Sequence, residues 1–576
     1  MSTKHADEYD VVVVGSGAGG MAAALAASIR GLSVAVVEKA HYYGGTTAYS
    51  GGGIWIPCNP YQARAGVEDD LDRARRYLSA TVGDRVPASR RERYLIEGPR
   101  MIQEFDERTR WVRWRYLQGY PDYFPEADGG LVQGRSLEPP IVDGRKLGSM
   151  RPQLQPPLLD LKGLAITASD VHDLAMIGRT WAGKITGAKL VGRLIASKVT
   201  GAEYLAIGQA LVARLRLALA DRNVPVLLST ELSELSVGHE GGVRRVTGIR
   251  CVRNGESVTL TAKRGVILAA GGFGHSQEMR EQYLLKPTDS GWTQSSPGQV
   301  GDAIKAGMAI GAEVDLMDRV WGSPSAMLPI PDSPPLPILP LVERAAPGTL
   351  LVNGAGERFA NESLPYDALY DAMYANNRPD AGTIPAWFVF DQRAKDRYLM
   401  FTTLPRQKFP KEWESSGFLK RAQSIAELAT QIGVPATQLG RTISRFNGLA
   451  ENGRDADFHR GESAYDHYYG DPRMPNPNLA PLDKPPYYAI ALYPCDLSTK
   501  GGLMVDDDAR VLDKDRRPIQ GLYATGNCSA SVMGTTYVGP GATLGPAMVF
   551  GYTAAKHIAS VSGVGSSDRP TASSLG

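Results

Sequence analysis

At 576 residues the chain is long enough for two or three domains, each with its own core. An apolar fraction of 43% and a charged fraction of 22% place it among ordinary folded proteins and exclude fibrous or wholly disordered classes. The formal charge of +2 excludes the broad basic field of a nucleic-acid binder, so no nucleic-acid partner is expected.

The opening "MSTKHADEYD" shows no charged-then-apolar leader and no twin-arginine pattern, and no run of about 18 apolar residues follows. A cytoplasmic location is the expectation. Cys58, Cys251, Cys495 and Cys528 are too far apart to form a short-spaced metal or redox pair, so free buried thiols and no metal site are expected.

The first element is a strand over 11–14, a continuous β-branched run suited to a parallel strand buried on both faces. Gly15, Gly17 and Gly20 then spell G-x-G-x-x-G, a helix follows over about 18–30, and "LSVAVVE" returns as a strand ending at Glu38. A strand before the glycines, a helix after them and an acid about 20 residues on make this a dinucleotide site. Small residues let the backbone approach a pyrophosphate, the helix N-terminus stabilises its charge, and Glu38 accepts from a ribose hydroxyl.

Directly after the ribose strand comes a second glycine-rich loop, "YYGGTTAYSGGGIWIP" (42–57), which a nicotinamide enzyme does not need. With "KRGVILAAGGFG" (263–274) and "GLYATGNCSAS" (521–531), it resembles the succinate dehydrogenase/fumarate reductase flavoprotein superfamily. That resemblance implies non-covalent FAD in an α/β, Rossmann-like FAD-binding domain formed by 1–322 and 497–576. An α+β catalytic cap domain, 323–496, is inserted between them. The cofactor residues it implies are Gly15, Ser16, Gly17, Ala18, Gly20, Glu38 and Lys39 at the first turn, and Gly45, Thr46, Thr47, Ser50 and Gly51 in the second loop. Gly271, Asp302, Gly526, Asn527, Ala542 and Leu544 come from later segments.

Between 161 and 209 lies a basic amphipathic insertion. Over 174–202 there is no acid, while Arg179, Lys184, Lys189, Arg193 and Lys198 alternate with Trp181, Ile185, Leu190, Val191, Leu194 and Ile195. Two readings stay open: a solvated helix whose apolar side packs on its own domain, or peripheral contact with an anionic membrane. The inserted region is rich in proline ("SPSAMLPIPDSPPLPILPLVE", "DPRMPNPNLAPLDKPPYYAI"), which argues against long helices and central strands there. It reads as a cap over the flavin. The tail "SVSGVGSSDRPTASSLG" is expected to be disordered.

Four blocks in order, "GGTTAYSGGGIWIP", "GYPDYFPE", "LLVNGAGERFANESLPYDALYDAMY" and "TTYVGPGATLGPAM", resemble the 3-ketosteroid Δ1-dehydrogenases of that superfamily. The resemblance covers nearly the whole chain; the basic segment 161–209 is the main part it does not match. It implies that Tyr366 abstracts the C2 proton and Tyr123 assists it. Tyr537 and the Gly541 amide would hold the C3 carbonyl of a 3-ketosteroid as an oxyanion hole. Hydride would leave C1 for flavin N5, and a helix beginning near Ala542 would point its positive end at the flavin. An artificial or quinone-type acceptor would take the electrons, and long-tailed sterones would be candidate substrates. A Δ4-(5α)-dehydrogenase remains the alternative, since it shares the carbonyl clamp. A fumarate reductase-type enzyme is disfavoured because "DLSTKGGLMVD" lacks a histidine ahead of the glycine pair, and a non-catalytic flavin carrier because the phenols and the flavin loop are intact.

Overall fold

The computed structural model describes residues 7–159, 163–240 and 242–561. Of the expected loose tail, Ser560 and Val561 end the last helix and the remainder lies outside the described residues.

The strand Glu8–Val14 sits between Val34–Val37 and Glu256–Leu268, parallel to both. Val11, Val12 and Val13 are fully buried, as a strand covered on both faces requires. The helix Ala18–Ile29 covers one face and packs closely on the C-terminal helix Leu544–Val561. Close approach is possible because glycine and alanine dominate the contact: a Cβ on Gly551 would lie 2.5 Å from the Gly19 carbonyl oxygen. The eight-stranded sheet is completed from the other end of the chain, where Pro518–Ala524 lies parallel to Glu256–Leu268. The N-terminal sheet therefore includes a strand from the far side of the intervening residues.

Those residues carry a six-stranded sheet of Ser325–Ile330, Ser333–Ile338, Thr349–Val352, Ala386–Asp391, Leu419–Ala422 and Tyr487–Tyr493. Its ladders are antiparallel. The proline argument needs two corrections here. Ser333–Ile338, with three prolines, is an edge strand, but Ser325–Ile330 pairs on both sides, its Pro329 lying outside the two-residue ladder to the next strand, and Tyr487–Tyr493 runs through the middle of the sheet. The physical reason is position: Pro485 and Pro486 lie just before that strand, so its own amides remain free to donate. The chain enters and leaves this region through neighbouring strands, Val320–Gly322 and Asp496–Thr499, which pair with each other.

Two further expectations shift. The last helix begins at Leu544, and Ala542 lies in the turn before it, donating its amide to the Gly539 carbonyl. Of the cysteines, three are buried and Cys58 is partly exposed; all are free thiols. The basic segment forms one helix, Trp181–Thr200, capped by Thr180 and packed on Ala168–Ala175. Gly183, Thr186 and Leu190 face that neighbour, whereas Trp181, Ile185, Val191, Ile195 and Val199 face solvent at 53–80% exposure. No helix among the described residues is long and apolar enough to cross a membrane.

Candidate active site

A single cavity of about 1410 Å³ runs between the two sheets. At one end the G-x-G-x-x-G turn forms its wall. Gly15 has φ +107°, and a Cβ there would lie 2.3 Å from the Ala269 carbonyl oxygen, so only glycine lets the turn sit this close to the neighbouring strand. Glu38 accepts from the Ser16 amide and hydroxyl at 3.1 and 2.6 Å, which holds its carboxylate at the cavity edge. Thr47 accepts from the Ala18 amide at 2.9 Å, and Thr46 accepts from Ser296 N and Gln299 Nε2, tying the second glycine loop to both sides. Lys39 pairs with Asp302 across the opening.

Of the residues expected to hold a cofactor, Gly15, Ser16, Gly17, Ala18, Glu38, Lys39, Gly45, Thr46, Thr47, Ser50, Gly51, Gly271, Asp302, Gly526, Asn527 and Leu544 all line this cavity. Gly20 and Ala542 do not. A Cβ on Gly20 would lie 2.0 Å from the Gly15 carbonyl oxygen, so that glycine serves packing of the helix on its own turn, and Ala542 is fully buried behind the Gly541 turn.

At the other end three phenols converge. Tyr123 donates to the Tyr366 hydroxyl at 2.8 Å, and the ring centroids of Tyr123, Tyr366 and Tyr537 stand 5.0–5.5 Å apart in each pairing. Each comes from a different part of the chain. Tyr366 opens the helix Tyr366–Ala375. Tyr123 sits in a loop pinned by its amide to the Val538 carbonyl at 3.1 Å, and Tyr77 donates to the same carbonyl at 2.6 Å. Beneath that loop Asp122 accepts from the Trp55 indole and pairs with the fully buried Arg135, which also grips Asp69. Burial pushes the Asp122 carboxyl up to about 6, and the Arg135 charge works against the shift.

The turn after Tyr537 has a steric reason for its glycines. Gly541 has φ +94°, and a Cβ there would lie 2.5 Å from the Gly53 carbonyl. Ser136 holds the preceding Pro540 carbonyl at 2.6 Å. The Tyr537 hydroxyl faces the Gly541 amide and the Thr543 hydroxyl. Burial raises the phenols of Tyr366 and Tyr123 well above 10 and raises Tyr537 as well. The Tyr123 hydrogen bond lowers Tyr366 but does not overcome burial, so the resting phenols are neutral.

Sequence reasoning missed Trp321, Tyr120, Tyr469 and Gln299, all on the cavity wall, and Lys500, buried behind Trp321. Nothing local marks them, since each gains its place only from distant contacts.

A family model described as FAD binding domain matches residues 10–544. The chain is 44% identical to 3-oxosteroid 1-dehydrogenase of Mycolicibacterium smegmatis, covering 96% of this chain and 97% of that one. It is 45% identical to 3-oxosteroid 1-dehydrogenase of Mycobacterium tuberculosis, covering 96% and 99%. The chain belongs to the 3-oxosteroid 1-dehydrogenase family of FAD-binding proteins. Its structure also resembles that of 3-ketosteroid Δ1-dehydrogenase from Sterolibacterium denitrificans in complex with 1,4-androstadiene-3,17-dione. There the TM-score is 0.90 at 41% identity, over 96% of this chain and 100% of the other. The flavoprotein's cavity fits FAD on its own terms. Gly15 and Gly20 leave no room for a side chain at the turn after the first strand, the Glu38 carboxylate lies at the cavity edge, and the volume exceeds the roughly 300–1,000 Å³ of an ordinary small-molecule site.

Proposed function

We propose that this FAD-dependent oxidoreductase dehydrogenates 3-ketosteroids at C1–C2 of ring A. The observation that carries the reading is the convergence of three buried phenols on one point of the cavity, with the Gly541 amide facing the third. A C2–H beside a ketone becomes acidic enough only if the developing enolate oxygen is stabilised. Tyr537 Oη–H and Gly541 N–H donate to the C3 oxygen, and losing one such donor costs about 2.7–4 kcal/mol of barrier. Tyr366 takes the C2 proton, and Tyr123, which donates to its oxygen, stabilises the phenolate that must form first. The electron pair of the C2–H bond becomes the new C1=C2 bond as hydride departs from C1. Bound FAD, held by the residues of the glycine turn and of the 42–57 loop, supplies the acceptor for that hydride.

The cavity is also lined by Pro156, Leu158, Ile166, Leu336, Ile338 and Leu341, an apolar rim suited to a hydrocarbon skeleton and to sterones with long side chains rather than to a dicarboxylate. An artificial or quinone-type acceptor would take up the electrons. Anaerobic mixing of the yellow protein with androst-4-ene-3,17-dione tests the reading. Bleaching with a 1,4-diene product supports it. Bleaching only with the 5α-saturated analogue, giving the 4-ene, moves the reaction to C4–C5.

The exposed face of Trp181–Thr200 supports peripheral contact with an anionic bilayer. Trp181, Ile185, Ile195 and Val199 form one stripe, flanked by Lys184, Lys189 and Lys198, for which no ion pair occurs among the described residues. Arg179 and Arg193, by contrast, are paired with Asp471 and Asp170. Ser197 and Ala202, at the end of the same helix, line the cavity, which places its rim beside the stripe. Sedimentation with phosphatidylserine vesicles, lost in Trp181→Ser/Ile185→Ser/Val199→Ser with turnover of a short-tailed steroid retained, is the expected result. Unchanged sedimentation sinks this part of the proposal, and loss of a dimer instead would make the stripe a contact between copies.

A further inference from the structure

The buried ammonium of Lys500 makes its polar contacts with residues next to two phenols of the site. It is 1% exposed, and burying an ammonium is costly unless it is paired and hydrogen-bonded. Its Nζ lies 3.1 Å from Asp367 Oδ2 and donates to the carbonyls of Thr535 and Thr536 at 3.3 and 3.4 Å. It also stands 4.4 Å over the Trp321 ring, a desolvated cation–π contact.

These partners have a pattern. Asp367 directly follows Tyr366, and its other carboxylate oxygen accepts from the Gly322 amide at 2.7 Å, at the strand where the chain enters the cap. Thr535 and Thr536 directly precede Tyr537. Trp321 packs edge-on against the Tyr537 ring at 4.8 Å and donates to Asn527 of the cofactor loop at 3.0 Å. One ammonium thus joins the helix that carries Tyr366 to the segment that carries Tyr537. Arg280, another buried cation near this junction, pairs with Asp496 and donates to the Gly274 carbonyl rather than to the Thr535 and Thr536 carbonyls.

We propose that Lys500 is a positioning residue for proton abstraction. Its ammonium sets the distance and angle between the Tyr366 oxygen and the Tyr537/Gly541 clamp by holding the Thr535 and Thr536 carbonyls against Asp367. It touches no reacting atom. The effect is geometric, and a displacement of about 1 Å between base and clamp costs on the order of 100-fold in rate. This inference rests on the reading of the site as a ketosteroid dehydrogenase.

The test compares holoenzyme of the wild type, Lys500→Met, and the double variant Asp367→Asn/Lys500→Met. Single-turnover flavin bleaching is measured at saturating androst-4-ene-3,17-dione, together with the steroid dissociation constant and the thermal midpoint. Lys500→Met leaves Asp367 buried without its cation, so it is expected to lower the thermal midpoint as well as the rate. The double variant removes both charges and is expected to regain the midpoint. Its bleaching should nevertheless stay about 10- to 100-fold slow, with the steroid dissociation constant little changed, because the Thr535 and Thr536 carbonyls lose the donor that ties them to the Tyr366 helix. A double variant that bleaches at the wild-type rate overturns the proposal, since Lys500 would then serve only to neutralise Asp367. Loss of FAD from both variants overturns it too, making the pair a folding element. Wild-type protein that fails to bleach with any 3-ketosteroid overturns the proposed substrate and this inference with it, so the two failures are distinguishable.

Discussion

Replacing Tyr366 with phenylalanine removes one oxygen atom, and the structure says what that atom does. It accepts the Tyr123 hydroxyl at 2.8 Å, and its ring stands edge-on to Tyr537 at 5.3 Å. If Tyr366 is the base, a positioned general base contributes about 10²–10⁴-fold, so flavin bleaching at saturating steroid falls by that factor, or about 3–5 kcal/mol of barrier. The same change leaves the buried Tyr123 hydroxyl without its acceptor, which costs about 1–3 kcal/mol of stability. Tyr123→Phe/Tyr366→Phe removes both partners and restores most of that stability, but not the rate. Anaerobic stopped-flow in the flavin band separates the two effects when read beside thermal midpoints. Tyr366→Phe protein that stays yellow and bleaches within about 10-fold of wild type would refute the assignment, because a lost base cannot leave the barrier that low.

Other outcomes follow from the same geometry. Gly541→Ala puts a Cβ 2.5 Å from the Gly53 carbonyl at φ +94°, displacing the amide that faces Tyr537; bleaching should slow about 100-fold while FAD is retained. Gly15→Ala drives a Cβ to 2.3 Å from the Ala269 oxygen, so the purified protein should lose its yellow colour, and a normal flavin-to-protein absorbance ratio would contradict the proposed pyrophosphate turn. Because burial holds the Tyr366 phenol well above 10, its ionised fraction grows with pH below that value. The bleaching rate should therefore climb between about pH 6 and about pH 9. A plateau below about pH 8 would point to a base other than this phenol. Arg135→Met leaves Asp122 and Asp69 buried beside one another and should cost roughly 3–5 kcal/mol in denaturant unfolding, as expected for a broken buried ion pair.

What the sequence determined by itself is what short-range physics determines. The strand, the G-x-G-x-x-G turn, the helix and the ribose strand ending at Glu38 lie within about 30 residues, as one βαβ unit requires. Their hydrogen bonds close among themselves, as when Glu38 accepts from Ser16. The glycine-proline turn at 539–541 was legible for the same reason. Position misled where chemistry did not: the prolines around 471–486 suggested no central strand, yet the strand starts at the first residue after them. Tertiary structure alone decided the rest. Tyr123, Tyr366 and Tyr537 are three among 25 tyrosines, and only the packing of segments far apart in the chain brings their rings to within 5.5 Å. A helical period shows which residues of Trp181–Thr200 share a face, but whether that face meets protein or water depends on what packs beside it; here Ala168–Ala175 covers Leu190 and leaves Trp181 in solvent. Lys500 carries no local mark at all. A buried charge is stable only where distant groups arrive to pair with it, and sequence does not record which groups those are.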